Sequence, residues 1–212
     1  MTELRETGLR VPANYDEHYL QMVRRCLQWA CPIAALSFMG FLGWDYLLAD
    51  TGGIPNAVVA LRLAYTFLIL AFWPFAMKAV SLRAVMSGLS IVYLLGLICL
   101  TGILYLTPDG LVIGIPGLLL ITMFACGMFL LRPVPAVICG CLGTAGLFLA
   151  LQWAHLPLRQ QVSALVFFSG GVLVSGIFLF LLDRALRHTH SIEVRLAQEQ
   201  EQSEALLKEI LP

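Results

Sequence analysis

Residues 162–182 read VSALVFFSGGVLVSGIFLFLL, and residues 183–212 continue as DRALRHTHSIEVRLAQEQEQSEALLKEILP. The first stretch carries no charge over a length that crosses about 30 Å of hydrocarbon as a helix. The second is charged from its first residue and meets no glycine or proline before Pro212. A helix entering this segment therefore has no local reason to stop at the membrane edge. In one heptad register Leu182, Thr189, Leu196, Ser203 and Ile210 hold position a, and Ala185, Ile192, Glu199 and Leu206 hold position d. This pattern predicts a transmembrane helix that runs on into a two-stranded parallel coiled coil, an arrangement suited to passing a conformational signal out of a membrane. Glu199 and Ser203 place polar groups mid-seam, which weakens the pairing while fixing its register. The expected fold is an all-α membrane protein: a six-helix transmembrane bundle continuing into a cytoplasmic parallel coiled coil.

The rest of the chain agrees with a membrane solvent. Of 212 residues, 59% are hydrophobic and only 12% charged. Six spans are expected, at about Cys26–Ala49, Ala57–Met77, Val85–Leu106, Leu111–Leu131, Val134–Ala154 and Val162–Leu182. Eleven of the 13 basic residues fall on one side: Arg5, Arg10, Arg24, Arg25, Lys78, Arg83, Arg132, Arg184, Arg187, Arg195 and Lys208. Only Arg62 and Arg159 fall on the other, so both termini are expected to be cytoplasmic. The polar lead-in and the length of the first apolar run argue against a cleavable signal peptide. The expected division is 1–25 as a cytoplasmic N-terminal amphipathic segment, 26–182 as a membrane sensor or anchor domain, and 183–212 as a transducer helix.

The outer connections, Asp50–Asn56, Thr107–Gly110 and His155–Arg159, read as turns and are too short for an extracellular binding domain. Anything sensed from outside must then be small, lipophilic or a property of the membrane. Asn14 and Glu17 have capping-box spacing, and Tyr15, Tyr19, Met22 and Val23 could form an apolar face. That segment reads either as an interfacial helix that touches the tail or as a polar lead-in that sets topology.

Ionisable groups inside the membrane are the default functional candidates. Asp45 and Arg62 stand at matching depth, roughly 6–8 Å below the outer boundary, on helices joined by a short loop. They read as a ligand or gating pair, as a structural clasp, or with Arg62 snorkelling to headgroups. Asp183 and Arg184 mark the inner exit of the sixth span, either as an interface boundary or as the point where bundle motion enters the tail.

His18, His155, His188 and His190 offer no pair at matched membrane depth for a buried haem. His188 falls at position g, where it could meet Glu193 of a parallel partner. No metal-ligating set is evident from spacing, and Cys139-Gly-Cys141 lacks further ligands. The stretches Cys139–Gly146 and Gly170–Gly176 read as small-residue faces, for a dimer seam or for packing within one bundle. Pro32, Pro74 and Pro116 could kink spans, and Trp29, Trp44, Trp73 and Trp153 read as interfacial anchors. No phosphate-binding loop, catalytic triad or nucleic-acid patch is found.

The tail segment Gln202-Ser-Glu-Ala-Leu-Leu-Lys-Glu-Ile-Leu-Pro212 resembles the helix that leads into the catalytic domain of class III nucleotide cyclases. Six spans followed by this helix resemble the bacterial membrane-bound adenylate cyclases, which work as dimers in the cytoplasmic membrane. The resemblance implies that cAMP synthesis belongs to a catalytic domain beyond Pro212, which would also hold ATP and its divalent metal. No catalytic residue or cofactor is expected on this segment. Its expected partners are a second copy through the C-terminal helix, membrane lipid and a small lipophilic ligand, with no nucleic acid. Alternative readings are a passive membrane anchor and dimeriser, the membrane sensor of a diguanylate cyclase, or a small transporter.

Overall fold

The computed structural model describes residues 15–48, 53–107, 110–127 and 129–210. Asn14, Asp50–Gly52 and Pro108–Asp109 lie outside the described residues, as do the side chains of Trp44 and Ile210. The described residues are helical apart from short connections, without strands: α1 (Tyr15–Leu48), α2 (Asn56–Lys78), α3 (Leu82–Leu106), α4 (Gly110–Ile113), α5 (Ile115–Gly127), α6 (Pro133–Trp153) and α7 (Leu158–Ile210). Five of these helices, α1, α2, α3, α6 and α7, are long and apolar enough to cross a membrane. Their outward residues include Phe67, Phe167, Leu173 and Phe180, all well exposed. Apolar surface of that extent is stable against lipid and not against water.

Helix α3 is the axis of the bundle. It buries a broad face, including Val85, Leu89, Val92, Gly96, Leu100 and Ile103, and packs against α1, α2, α5 and α6. Helix α2 buries Val58, Arg62, Tyr65, Ile69, Phe72 and Ala76, alternating steps of four and three that trace one helical stripe. Helix α7 packs on α5 and α6 and sits at the rim. Its apolar part buries only a narrow stripe with Ala164, Phe168, Val172 and Leu179. Ser81 caps α3, its hydroxyl accepting a hydrogen bond from the Ala84 N–H at 3.2 Å. Ser81→Ala should lower stability by about 1 kcal/mol, read by thermal unfolding in detergent, and Ser81→Asn should restore most of it.

Two boundaries differ from the sequence expectation. The fourth span, expected as one helix over Leu111–Leu131, is broken into α4 and α5 at Gly114. Pro116 supplies no N–H and disfavours a helical conformation at Ile115, so the turn closes through Gly114 N–H to Gly110 O (2.7 Å) and Gly117 N–H to Gly114 O (2.9 Å). A Cβ at Gly114 would strike the Leu104 side chain, so glycine there also lets the break lie against α3. At its other end α5 stops at Gly127, and Leu130 takes a left-handed φ of 50°. The second difference is at the N-terminus. The short helix expected before the first span is instead the first turns of α1, which runs on without interruption.

Candidate functional site

Asp45 stands one turn before the end of α1, and Arg62 lies on the buried stripe of α2. Arg62 grips the carboxylate with two donors. Its Nε donates to Asp45 Oδ2, and its Nη2 donates to Asp45 Oδ1 at 2.8 Å. Nη1 donates to the Phe38 carbonyl at 2.9 Å, and the guanidinium lies 4.9 Å from the Phe38 ring centroid. Arg62 is only 3% exposed and Asp45 5%. The arginine therefore does not snorkel. A bidentate pair is the arrangement that makes two buried charges tolerable away from water.

The pair closes one end of a cavity of about 280 Å³. One wall is α1, with Ala34, Phe38 and Phe41. The facing wall is α5, with Gly117, Leu120 and Phe124. The floor is α3, with Tyr93, Leu100 and Leu104. Most polar groups in the lining are already satisfied by the protein. Tyr65 donates to the Val92 carbonyl (3.1 Å), Tyr93 to Thr122 Oγ1 (3.2 Å) and Thr107 to the Ile103 carbonyl (2.9 Å). The surface offered to a guest is thus mainly apolar, with the Asp45–Arg62 pair at one end.

On the side where α7 leaves the bundle, the start of α1 touches the start of the tail. The Tyr15 hydroxyl donates to Asp183 Oδ1 (3.3 Å), and Arg187 Nε donates to Asp183 Oδ2 (2.9 Å). The Arg187 guanidinium lies 4.7 Å from the Tyr15 ring centroid. Burial, and then the Asp183 carboxylate, push the Tyr15 phenol above its usual range, so it stays a donor. The Tyr19 hydroxyl donates to the Leu130 carbonyl at 2.8 Å, and Arg132 pairs with Asp16. The first turns of α1 thus satisfy the irregular α5–α6 connection and meet the tail. The contact between this segment and the tail, part of the first reading of it, is thus observed.

The remaining candidates are placed as follows. Ile192, Leu196 and Leu206 are more than half exposed, and Ala185, Thr189, Glu199 and Ser203 are exposed, while Leu182 is half-buried against the bundle. The heptad face is therefore open in the single chain. Arg184 and His188 are exposed. Glu193, expected opposite His188 of a partner, sits beside His18 and His190 of its own chain. The small-residue faces pack within the bundle at several points: a Cβ at Gly140 would meet Val172, at Gly143 Leu97, and at Gly171 Leu119. Gly146 and Gly170 face open space. Trp29 and Trp153 are exposed, and Trp73 is half-buried. All six cysteines are free thiols.

Sequence reasoning missed the cavity and the clustering of His18 with His190. Gly114 and Pro116 were the available signal for the first. The second had none, because the two histidines lie at opposite ends of the chain.

Searches of curated proteins and of solved structures returned no match. A family model matches residues 43–197, a stretch that takes in Asp45, Arg62 and α7 as far as Ala197. With well over half of its length matched, the chain belongs to MASE8, a family of membrane-associated sensory domains.

Proposed function

We propose that this chain is the ligand-responsive membrane sensor and dimerisation part of a bacterial class III adenylate cyclase, spanning the cytoplasmic membrane with both termini inside. The cavity takes a small apolar molecule or acyl chain, its polar end toward Asp45 and Arg62. The observation that carries this reading is the attachment of both cavity walls to α7. Helix α5 packs along the apolar part of α7, and α1 meets its exit through Tyr15. A guest that alters the spacing of α1 and α5 therefore shifts two supports of the same helix. Two copies of that helix, paired along the Leu182–Ile210 heptad face, orient the catalytic domains. Those domains hold ATP and its divalent metal.

The test uses the full-length protein in proteoliposomes with a series of fatty acids and fatty alcohols. Cyclic-nucleotide output should change about fivefold or more at the chain length that fills the cavity. Gly117→Trp, which puts an indole into the cavity, should abolish the response and leave output measurable. Replacing residues 26–182 by an unrelated dimeric anchor should do the same. A response that survives either change overturns the sensor reading, and unchanged regulation after the swap favours a passive anchor.

A further inference from the structure

Where α1 and α7 meet, three metal-binding side chains converge. His18 comes from α1, and His190 and Glu193 come from α7. One ligand atom of each lies within 4.8 Å of the other two. His190 and Glu193 are three residues apart on a helix and so share a face. The His18 and His190 ring centroids are 4.8 Å apart. A second observation is independent of this clustering. His190 is only 6% exposed, and its Nδ1 is buried with no hydrogen-bond partner. Such a nitrogen has lost water without gaining a partner, and a ligand bound to it directly removes that cost.

We propose that His18, His190 and Glu193 bind a divalent first-row transition-metal ion, with zinc the best match. Two imidazoles and one carboxylate form a donor set that suits zinc and is poor for calcium or magnesium, which take oxygen ligands. Three protein ligands leave a fourth position for water. Around a tetrahedral zinc the ligand atoms stand about 3.3 Å apart, so the cluster must draw in by at most about 1.5 Å to hold an ion. The neighbouring cation does not prevent this, because Arg187 is engaged by Asp183 at 2.9 Å. The bound ion joins the first turn of α1 to the second and third turns of the charged tail. Metal binding is independent of which output domain follows.

The test is a zinc titration of the untagged, chelator-treated full chain in nanodiscs against a competing chromophoric chelator, with cobalt as the spectroscopic probe. One zinc per chain is expected, and cobalt should give the intense visible bands of a four-coordinate site. His190→Asn and the milder Glu193→Gln should each weaken zinc by about 100-fold, while His188→Asn leaves it unchanged. Glu193 is half-buried, so its glutamine variant keeps the test valid if His190→Asn fails to fold. Equal zinc affinity in wild type and the Glu193→Gln variant overturns the proposal. Loss of affinity in His188→Asn comparable to that in His190→Asn also overturns it.

Discussion

Asp45→Ala should destabilise the bundle by about 3–5 kcal/mol, because it leaves the Arg62 guanidinium buried without its counter-ion. The effect is large because α2 cannot easily carry the arginine outward. Arg62 lies on the same stripe as Val58 and Tyr65, which are themselves buried, and its Nη1 is tied to the Phe38 carbonyl. Arg62→Leu should be less damaging than Asp45→Ala, since a carboxyl left alone can take up a proton and become neutral. The double variant Asp45→Leu/Arg62→Leu should be more stable than Asp45→Ala and close to wild type. Thermal unfolding of the three variants in one detergent reads these differences. A double variant as unstable as Asp45→Ala would show that the site depends on shape and not on charge pairing.

Gly96→Val should destabilise by about 1–3 kcal/mol, the usual range for overpacking. A side chain at Gly96 on α3 would run into the phenol of Tyr65 on α2, whose hydroxyl is fixed to the Val92 carbonyl at 3.1 Å. Tyr65 also lines the cavity, so a ring displaced by residue 96 would change its volume. The same variant should therefore alter the ligand response proposed above as well as the unfolding temperature. Tyr65→Leu removes the obstructing ring, and combining it with Gly96→Val should recover part of the stability. A double-mutant cycle measures that coupling, and additive effects would mean that the two residues do not meet.

Much of this was legible from apolar runs and buried charges. Matching depth and a short connecting loop made an Asp45–Arg62 pair easy, but snorkelling of Arg62 fitted the sequence as well, and only the burial of both side chains separates the two. Hydropathy failed at Leu111–Leu131, because apolarity measures what lipid accepts and says nothing of whether the backbone can stay helical. Gly114 and Pro116 decided that point. The junction of α1 with the tail was beyond any local pattern, since Tyr15 and Asp183 are 168 positions apart. The heptad face stands apart from both cases. Its apolar residues Ile192, Leu196 and Leu206 are exposed in the single chain, and pairing along them belongs to the proposal.

Helix α7 runs for 53 residues from Leu158 to Ile210. It contains no proline, and its last glycine is Gly176, near the tail-side end of the apolar zone. Beyond that point the helix has no built-in soft spot, so it behaves as a stiff beam clamped at one end. From Glu193, held beside His18 of α1, to Ile210 the free beam is about 26 Å long at the α-helical rise. A tilt of about 6° at the clamp carries Ile210 sideways by about 3 Å. That amplification needs no large motion within the membrane, and it is greatest at the end farthest from it.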